Sequence, residues 1–240
     1  MMSSDDFINI PLTRGNVDRY CHRVSIRDAI NDCLPHLRGR LLDAGCGKMP
    51  YREHILRHSS VVQYTGLDIE TARNYSDEVK PDVTWNGKTM PFEDNSFDCV
   101  MATEVLEHVS DTSGYLREVC RVLKPDGVFF FTTPFLWPLH EIPYDEYRLT
   151  PFAMERLLEA SGFSKVSIRA LGGWNASLAQ MLGLWLRRSE MSRYRRRLLS
   201  ILLFPVYKYL IKSDKTGAFD AKMITGITGL ARKQETSSNE

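Results

Sequence analysis

Residues 40–47 read Arg40-Leu41-Leu42-Asp43-Ala44-Gly45-Cys46-Gly47. An apolar pair runs through Asp43 into a Gly-x-Gly turn, the pattern of a strand that ends on a nucleotide-binding loop. The rhythm continues downstream. A short helix is predicted from about Pro50 to His58, a second strand from Val61 to Asp68, and a short third at Val83-Thr84-Trp85. Ser96 to Ala102 reads as a fourth strand. Residues 112–124 form a helix, with Leu116, Val119, Cys120 and Leu123 at i, i+3, i+4, i+7, stopped by Lys124-Pro125-Asp126-Gly127. Val128 to Thr133 is a fifth strand and Val166 to Leu171 a sixth. Between them, Thr150-Pro151 supplies an N-cap and a first-turn proline, and Gly162 ends that helix. Strands alternating with helices predict an α/β fold, a parallel sheet covered on both faces.

The flanks are different. Residues 1–18 read as a loose arm, and 19–34 as an amphipathic helix with Ile26, Ile30, Cys33 and Leu34 on one face, ended by Pro35. Residues 173–222 break the alternation and hold ten lysines and arginines against three acidic residues. Leu178, Met181, Leu182, Trp185 and Leu186 make an apolar stripe there. A second helical stretch, about 193–211, starts basic, turns apolar nearly all round, and carries Pro205, which predicts a kink. Met223 to Arg232 reads as a last strand, and 234–240 as a disordered tail. The expected organisation is an arm and helix (1–38), a central domain (39–172 with 223–233), a basic helical insertion (173–222), and the tail.

Composition removes several classes. The chain has 240 residues, 43% hydrophobic and 25% charged, which excludes collagen-like, disordered and disulfide-scaffold proteins. A net charge of +1 excludes a general nucleic-acid binder. The five cysteines, Cys21, Cys33, Cys46, Cys99 and Cys120, are odd in number and form no C-x-x-C pair. A zinc-cysteine site and a secreted disulfide frame are therefore not expected; a reducing cytoplasm fits, and no metal ligands are anticipated. The first ten residues carry Asp5 and Asp6 without an apolar run, unlike a signal peptide. No stretch reaches the roughly 18 apolar residues that span a bilayer.

The loop chemistry narrows the ligand. Asp43 stands two residues before Gly45, where a carboxylate repels a pyrophosphate but suits an ammonium group. Asp68 ends the second strand 21 residues after Gly47, where an ionised carboxylate can accept from both hydroxyls of a ribose. Pro50 occupies the place of the third glycine of a dinucleotide fingerprint, which argues against NAD. A ligand with ribose and amine but no bridging phosphates is S-adenosylmethionine.

On these residues the chain resembles the class I S-adenosylmethionine-dependent methyltransferases. Leu41 to Gly47 resembles their motif I, and Thr65-Gly66-Leu67-Asp68 their acidic motif II. Met90-Pro91-Phe92-Glu93-Asp94-Asn95-Ser96-Phe97-Asp98, Glu104-Val105-Leu106-Glu107-His108-Val109 and Leu123-Lys124-Pro125-Asp126-Gly127 resemble segments of the branch called methyltransferase type 11. The resemblance covers about 39–171 and the last strand. It implies a seven-stranded, Rossmann-like three-layer sheet whose final strand is antiparallel. It also implies cofactor contacts at Asp43, Gly45, Cys46 and Gly47, at Asp68 for the ribose and Ile69 for the adenine face, and at Thr103 and Glu104. Asn86, where the family usually has Asp, would accept from the adenine amino group, with Gly87 beside it. Tyr51 resembles a "GCG-x-x-PY" subgroup signature. Tyr20 and Arg23 are candidates for closing over the cofactor and binding its carboxylate.

The acceptor is expected after the fifth strand. Residues 134–150 resemble an "H-x-x-P-Y-D-x-x-R-x-T" block seen in methyltransferases linked to bacterial cell-surface glycans. His140 is the first candidate for a general base and His108 the second. Tyr144, Asp145 and Arg148 would orient substrate; Asp145 and Arg148 also read as a structural ion pair with His140 capping a loop. Arg193, Arg195, Arg196 and Arg197 oppose the dipole at a helix start, so an anionic membrane surface or the diphosphate of a lipid-linked sugar is one partner they would suit. A lid or homodimer contact with solvated arginines is the other. Nucleic acid is not the expected partner, since no RNA-binding module accompanies the charge. The function that follows is methyl transfer to a small-molecule, glycan or lipid-linked acceptor, most simply at oxygen, in the cytoplasm or on the inner membrane face. A polyprenyl-quinone-like acceptor, and a cofactor-binding scaffold without turnover, are the alternatives.

Overall fold

The computed structural model describes residues 5–70, 79–215 and 223–235. The strands are β1 (Arg38–Ala44), β2 (Ser60–Ile69), β3 (Val83–Trp85), β4 (Phe97–Thr103), β5 (Leu123–Pro134), β6 (Phe163–Leu171) and β7 (Gly226–Lys233). They form one seven-stranded sheet in the order β3-β2-β1-β4-β5-β7-β6. β7 runs antiparallel to both its neighbours, and the other pairings are parallel. The helices are α1 (Asp5–Ile8), α2 (Tyr20–Cys33), α3 (Arg52–His58), α4 (Thr112–Val122), α5 (Pro151–Ala160), α6 (Trp174–Arg188) and α7 (Arg193–Ser213).

Side-chain alternation explains the three layers. Leu42, Val100, Phe129 and Phe131 point to one face and pack with Leu116 and Val119 of α4 and Leu158 of α5. Leu41, Cys99, Met101 and Phe130, one residue out of step, point to the other and pack with Ile26 and Ile30 of α2 and Ile55 of α3. The chain leaves β1 towards β2 and β3 on one side and returns to β4 and β5 on the other. The carboxyl ends of β1 and β4 therefore flank the topological switch, where sheets of this kind bind ligands.

Several boundaries differ from the sequence pattern. The helix expected over 112–124 ends at Val122, and Leu123 already starts β5. Pro125 disfavours helical geometry at Lys124, so the chain turns extended. It then pairs Phe97 with Leu123 and, after a register shift, Cys99 with Val128. β6 begins at Phe163, directly after Gly162, whose φ of +93° makes the expected helix exit. Pro205 lies inside one continuous α7. The arm is not loose where it is described: Val17 is buried, and the Phe7 ring meets Tyr51 edge-on at 6.0 Å.

The insertion packs on that arm. Ala179 and Leu186 of α6 and Tyr207 of α7 form a small core with Val17, and Leu12 and Tyr20 lie against it. A Cβ on Gly183 would collide with the Val17 backbone carbonyl, so α6 sits directly against the arm. The expected apolar stripe on α6 divides: Leu182 faces this core and Leu186 is buried in it, while Leu178, Met181 and Trp185 face outward. No helix among the described residues is long and apolar enough to cross a membrane. Residues 216–222 of the insertion and 236–240 of the tail lie outside the described residues.

Candidate active site

Gly45, with φ of +98°, lets the chain reverse at the end of β1, and its backbone N–H and that of Cys46 both donate to Leu67 O. A Cβ there would lie 2.5 Å from Val105, so this turn admits only glycine against the loop after β4. Gly47 N then donates to Asp68 Oδ2 at 2.9 Å, which locks the glycine loop to the end of β2. Asp68 Oδ1 accepts from Ile69 N at 2.8 Å. A carboxylate has about four lone-pair sites, so each oxygen keeps one for a ligand hydroxyl. Ile69 is exposed beside it, and Gly87 faces it with only 3.8 Å between a would-be Cβ and Ile69 Cγ2. This acid with an apolar ledge fits a ribose and its base.

Asp43 is buried below the loop. Tyr64 donates its hydroxyl to Oδ2, while Oδ1 has no hydrogen-bond partner among the described residues. Burial pushes its carboxyl up to about 7. A buried acid lacking one donor is what an ammonium group above it would complete, so the residues fit the amino-acid end of S-adenosylmethionine. Cys46 is buried in the same turn, and burial raises its thiol well above the usual range, so it packs rather than reacts.

Other expected cofactor contacts are placed differently. Asn86 Oδ1 already accepts from Lys88 N at 2.9 Å and Thr89 N at 3.2 Å. Asn86 Oδ1 thus holds the local turn beside the expected adenine position. Tyr20 is partly buried and packs against the apolar cluster of α6 and α7. Arg23 lies over the Phe7 ring at 4.2 Å, and Tyr51 beyond that ring is buried. Burial raises the Tyr51 hydroxyl above its usual range, with the Glu104 charge adding to it and Arg23 opposing it. Thr103 ends β4 opposite Thr132 of β5. Glu104, at φ of +56°, accepts from Thr132 Oγ1 at 2.8 Å and pairs with His22 Nε2 at 2.9 Å. His22 stacks on Trp137 at 4.3 Å, and Arg188 of α6 lies over the same indole at 4.9 Å.

The acceptor-side residues come together on the loop after β5. Asp145, its side chain only 1% exposed, takes Arg148 through both oxygens at 2.6 and 2.8 Å. The guanidinium holds this carboxyl well below the usual carboxylate range. Asp145 Oδ2 also meets His140 Nδ1 at 3.1 Å, so the ion pair and the histidine are one unit. Burial, with His108 and Arg148 adding to it, lowers the His140 pKa despite Asp145. His108 meets the Tyr144 carbonyl through Nδ1 at 3.1 Å, and its ring stands edge-on to His140 at 4.7 Å. The Tyr144 side chain itself is exposed.

Glu107, His22 and Trp137 are the residues the sequence pattern did not single out. Glu107 is completely buried, and neither carboxylate oxygen has a hydrogen-bond partner among the described residues. Burial first and Glu104 second push its carboxyl well above the ordinary value. No metal ligands were expected from the sequence; Glu107, His108 and His140 nonetheless bring three potential donor atoms within 4.8 Å of one another. The adjacent Glu-His pair was visible in the sequence; that the loop after β5 folds back over it was not.

Residues 42–131 match the family described as "Methyltransferase domain". The "Ubiquinone biosynthesis O-methyltransferase" of Methylobacterium nodulans is 36% identical over 101 residues, 39% of this chain and 40% of that protein. The chain thus spans about 40% of that relative's length. Among solved structures, an S-adenosylmethionine-dependent methyltransferase from Mesorhizobium loti superposes with a TM-score of 0.54 at 16% identity, covering 87% of this chain and 98% of that one. Phosphoethanolamine N-methyltransferase 2 of Haemonchus contortus, in complex with S-adenosyl-L-methionine, gives 0.54 at 16% identity over 98% of this chain and 60% of that one. The sheet order agrees with these solved structures, and the matched segment, residues 42–131, makes this stretch of the chain similar to methyltransferase domains of the type 11 branch.

Proposed function

We propose that this chain transfers a methyl group from S-adenosylmethionine to the oxygen of a small-molecule, glycan or lipid-linked acceptor. One observation carries the reading: Asp68 is tied to the glycine loop through Gly47 N yet keeps free lone pairs beside exposed Ile69. The cofactor brings an activated methyl, so the protein mainly aligns it with a nucleophile. Asp68 would hold the ribose hydroxyls, Ile69 and Gly87 the base, and Asp43 the ammonium group. Glu104 stands between this half and the acceptor loop through its contact with His22. A hydroxyl acceptor must lose its proton; His140 and His108 would take it, with Asp145 and Arg148 orienting His140.

A polyprenyl-quinone-like acceptor is the second reading. Leu198, Ile201, Leu202 and Val206 form an exposed apolar row on α7, beside outward Leu178, Met181 and Trp185 of α6. The similarity to a ubiquinone-biosynthesis O-methyltransferase supports it.

Calorimetric titration with S-adenosylhomocysteine, with NAD⁺ as control, tests the cofactor. Micromolar binding that Asp68→Ala abolishes is expected. Silence with both ligands would sink the proposal; binding without a methylated product in labelled-methyl screens of membrane and soluble extracts would leave a scaffold.

A further inference from the structure

We propose that Glu107, His108 and His140 bind a divalent transition-metal ion at the acceptor end of the site. The binding claim stands on the cluster itself; only its part in catalysis rests on the methyl-transfer reading above.

The three residues come from two segments. Glu107 and His108 lie in the turn after β4, and His140 in the loop after β5. The Glu107 backbone carbonyl accepts from Glu146 N at 2.9 Å and Tyr147 N at 3.2 Å, which docks that loop and brings His140 over. His108 Nε2 then lies 3.7 Å and His140 Nε2 3.9 Å from Glu107 Oε1. These distances are too long for hydrogen bonds. They are close to the roughly 3.4 Å that separates two ligands on one ion with bonds of about 2.1 Å.

The outer contacts fix which nitrogen faces inward. His108 Nδ1 meets a carbonyl and His140 Nδ1 a carboxylate, and both partners can only accept. Each Nδ1 therefore donates, and in the neutral ring each Nε2 turns a lone pair towards Glu107. The result is three acceptors within 4.8 Å of one another, one of them on a fully buried carboxyl group with no hydrogen-bond partner among the described residues. A buried charge without a partner is costly, and a cation among the three supplies the partner. The His140–Asp145–Arg148 chain has the form of the outer contacts that orient metal-bound histidines. One carboxylate and two imidazoles, with no sulfur, suit zinc, manganese, iron or cobalt in the divalent state. Three protein ligands leave a position for the acceptor oxygen, whose proton becomes more acidic on the ion. With both imidazoles on the ion, the acceptor's proton would leave to solvent water, and the ion would replace the free-base role given to His140 and His108 above.

The test starts from chelator-treated full chain. Zn²⁺ is titrated by calorimetry and Co²⁺ by visible absorption. One ion per chain is expected, with cobalt bands in the visible. Glu107→Gln and His140→Ala should each weaken binding by at least ~10-fold, with the thermal midpoint and S-adenosylhomocysteine binding retained. His54→Ala, from the histidine pair on α3, should bind as the parent does. Absence of cobalt bands in the parent chain, or ion binding that survives both substitutions, overturns the site; the parent spectrum serves even if a variant fails to fold. An ion bound without S-adenosylhomocysteine binding keeps the site and removes the methyl-transfer role. S-adenosylhomocysteine binding without any ion overturns the site and leaves the function standing.

Discussion

Asp43 ties stability to pH through one residue. Burial moves its carboxyl from an ordinary 3.8 to about 7, so the folded chain holds this proton more tightly than the unfolded one. Its contribution to stability is complete below the ordinary value and is lost as pH rises through about 7. The thermal midpoint of the ligand-free protein should fall between pH 5 and pH 8 by more than that of Asp43→Asn, and S-adenosylmethionine should shrink the difference by pairing the charge. Equal slopes in parent and variant would rule this out. At this scale the glycine turn after β1 and the acid on β2 were legible, because Gly45, Gly47 and Asp68 need particular backbone and charge wherever such a loop is used. Asn86 and Tyr20 were not. An Asx turn and a packing contact depend on neighbours that no spacing rule identifies. Glu107 was hidden for the same reason, since only the folded loop shows that its carboxylate is sealed in.

Among elements, α6 meets the arm with no room for even one added methyl at Gly183. Gly183→Ala would place its methyl 2.6 Å from the Val17 carbonyl carbon, which is backbone and has no rotamer to change. Forcing extra volume into such a contact costs about 1–3 kcal/mol. A lower urea midpoint with S-adenosylhomocysteine affinity unchanged is expected, and a neutral result would show that α6 can lift off the arm. The alternation of strands and helices was readable from period alone, and so were the caps at Thr150 and Gly162. The boundary at Leu123 was not, because a leucine at helical spacing serves equally as the first buried residue of a strand. Nor was the docking of the arm, since Val17 and Phe7 gain their partners only from distant parts of the chain.

For the molecule as a whole, α7 presents an exposed apolar row that follows exposed Arg193, Arg195 and Arg197. Arg196 stands apart: it bonds the Leu186 and Ser189 carbonyls and holds α7 to the end of α6. Flotation with phosphatidylglycerol vesicles at low salt should carry the protein upward. Replacing Arg193, Arg195 and Arg197 with Gln should release it, as should salt that shortens the screening length to about 3 Å at 1 M. No flotation together with a dimer in sedimentation would make this face a contact between copies. Seven strands, an antiparallel last one and an insertion before it were expected from the resemblance; what the insertion touches was not, because its partners are the arm and solvent.

The loop after β5 is anchored to the Glu107 main chain, whereas the proposed ion site draws on the Glu107 side chain. Scaffold and reactivity are therefore separately heritable at one position. A lineage could exchange that carboxylate for another group and try a new reaction, while the loop stayed moored in the same place.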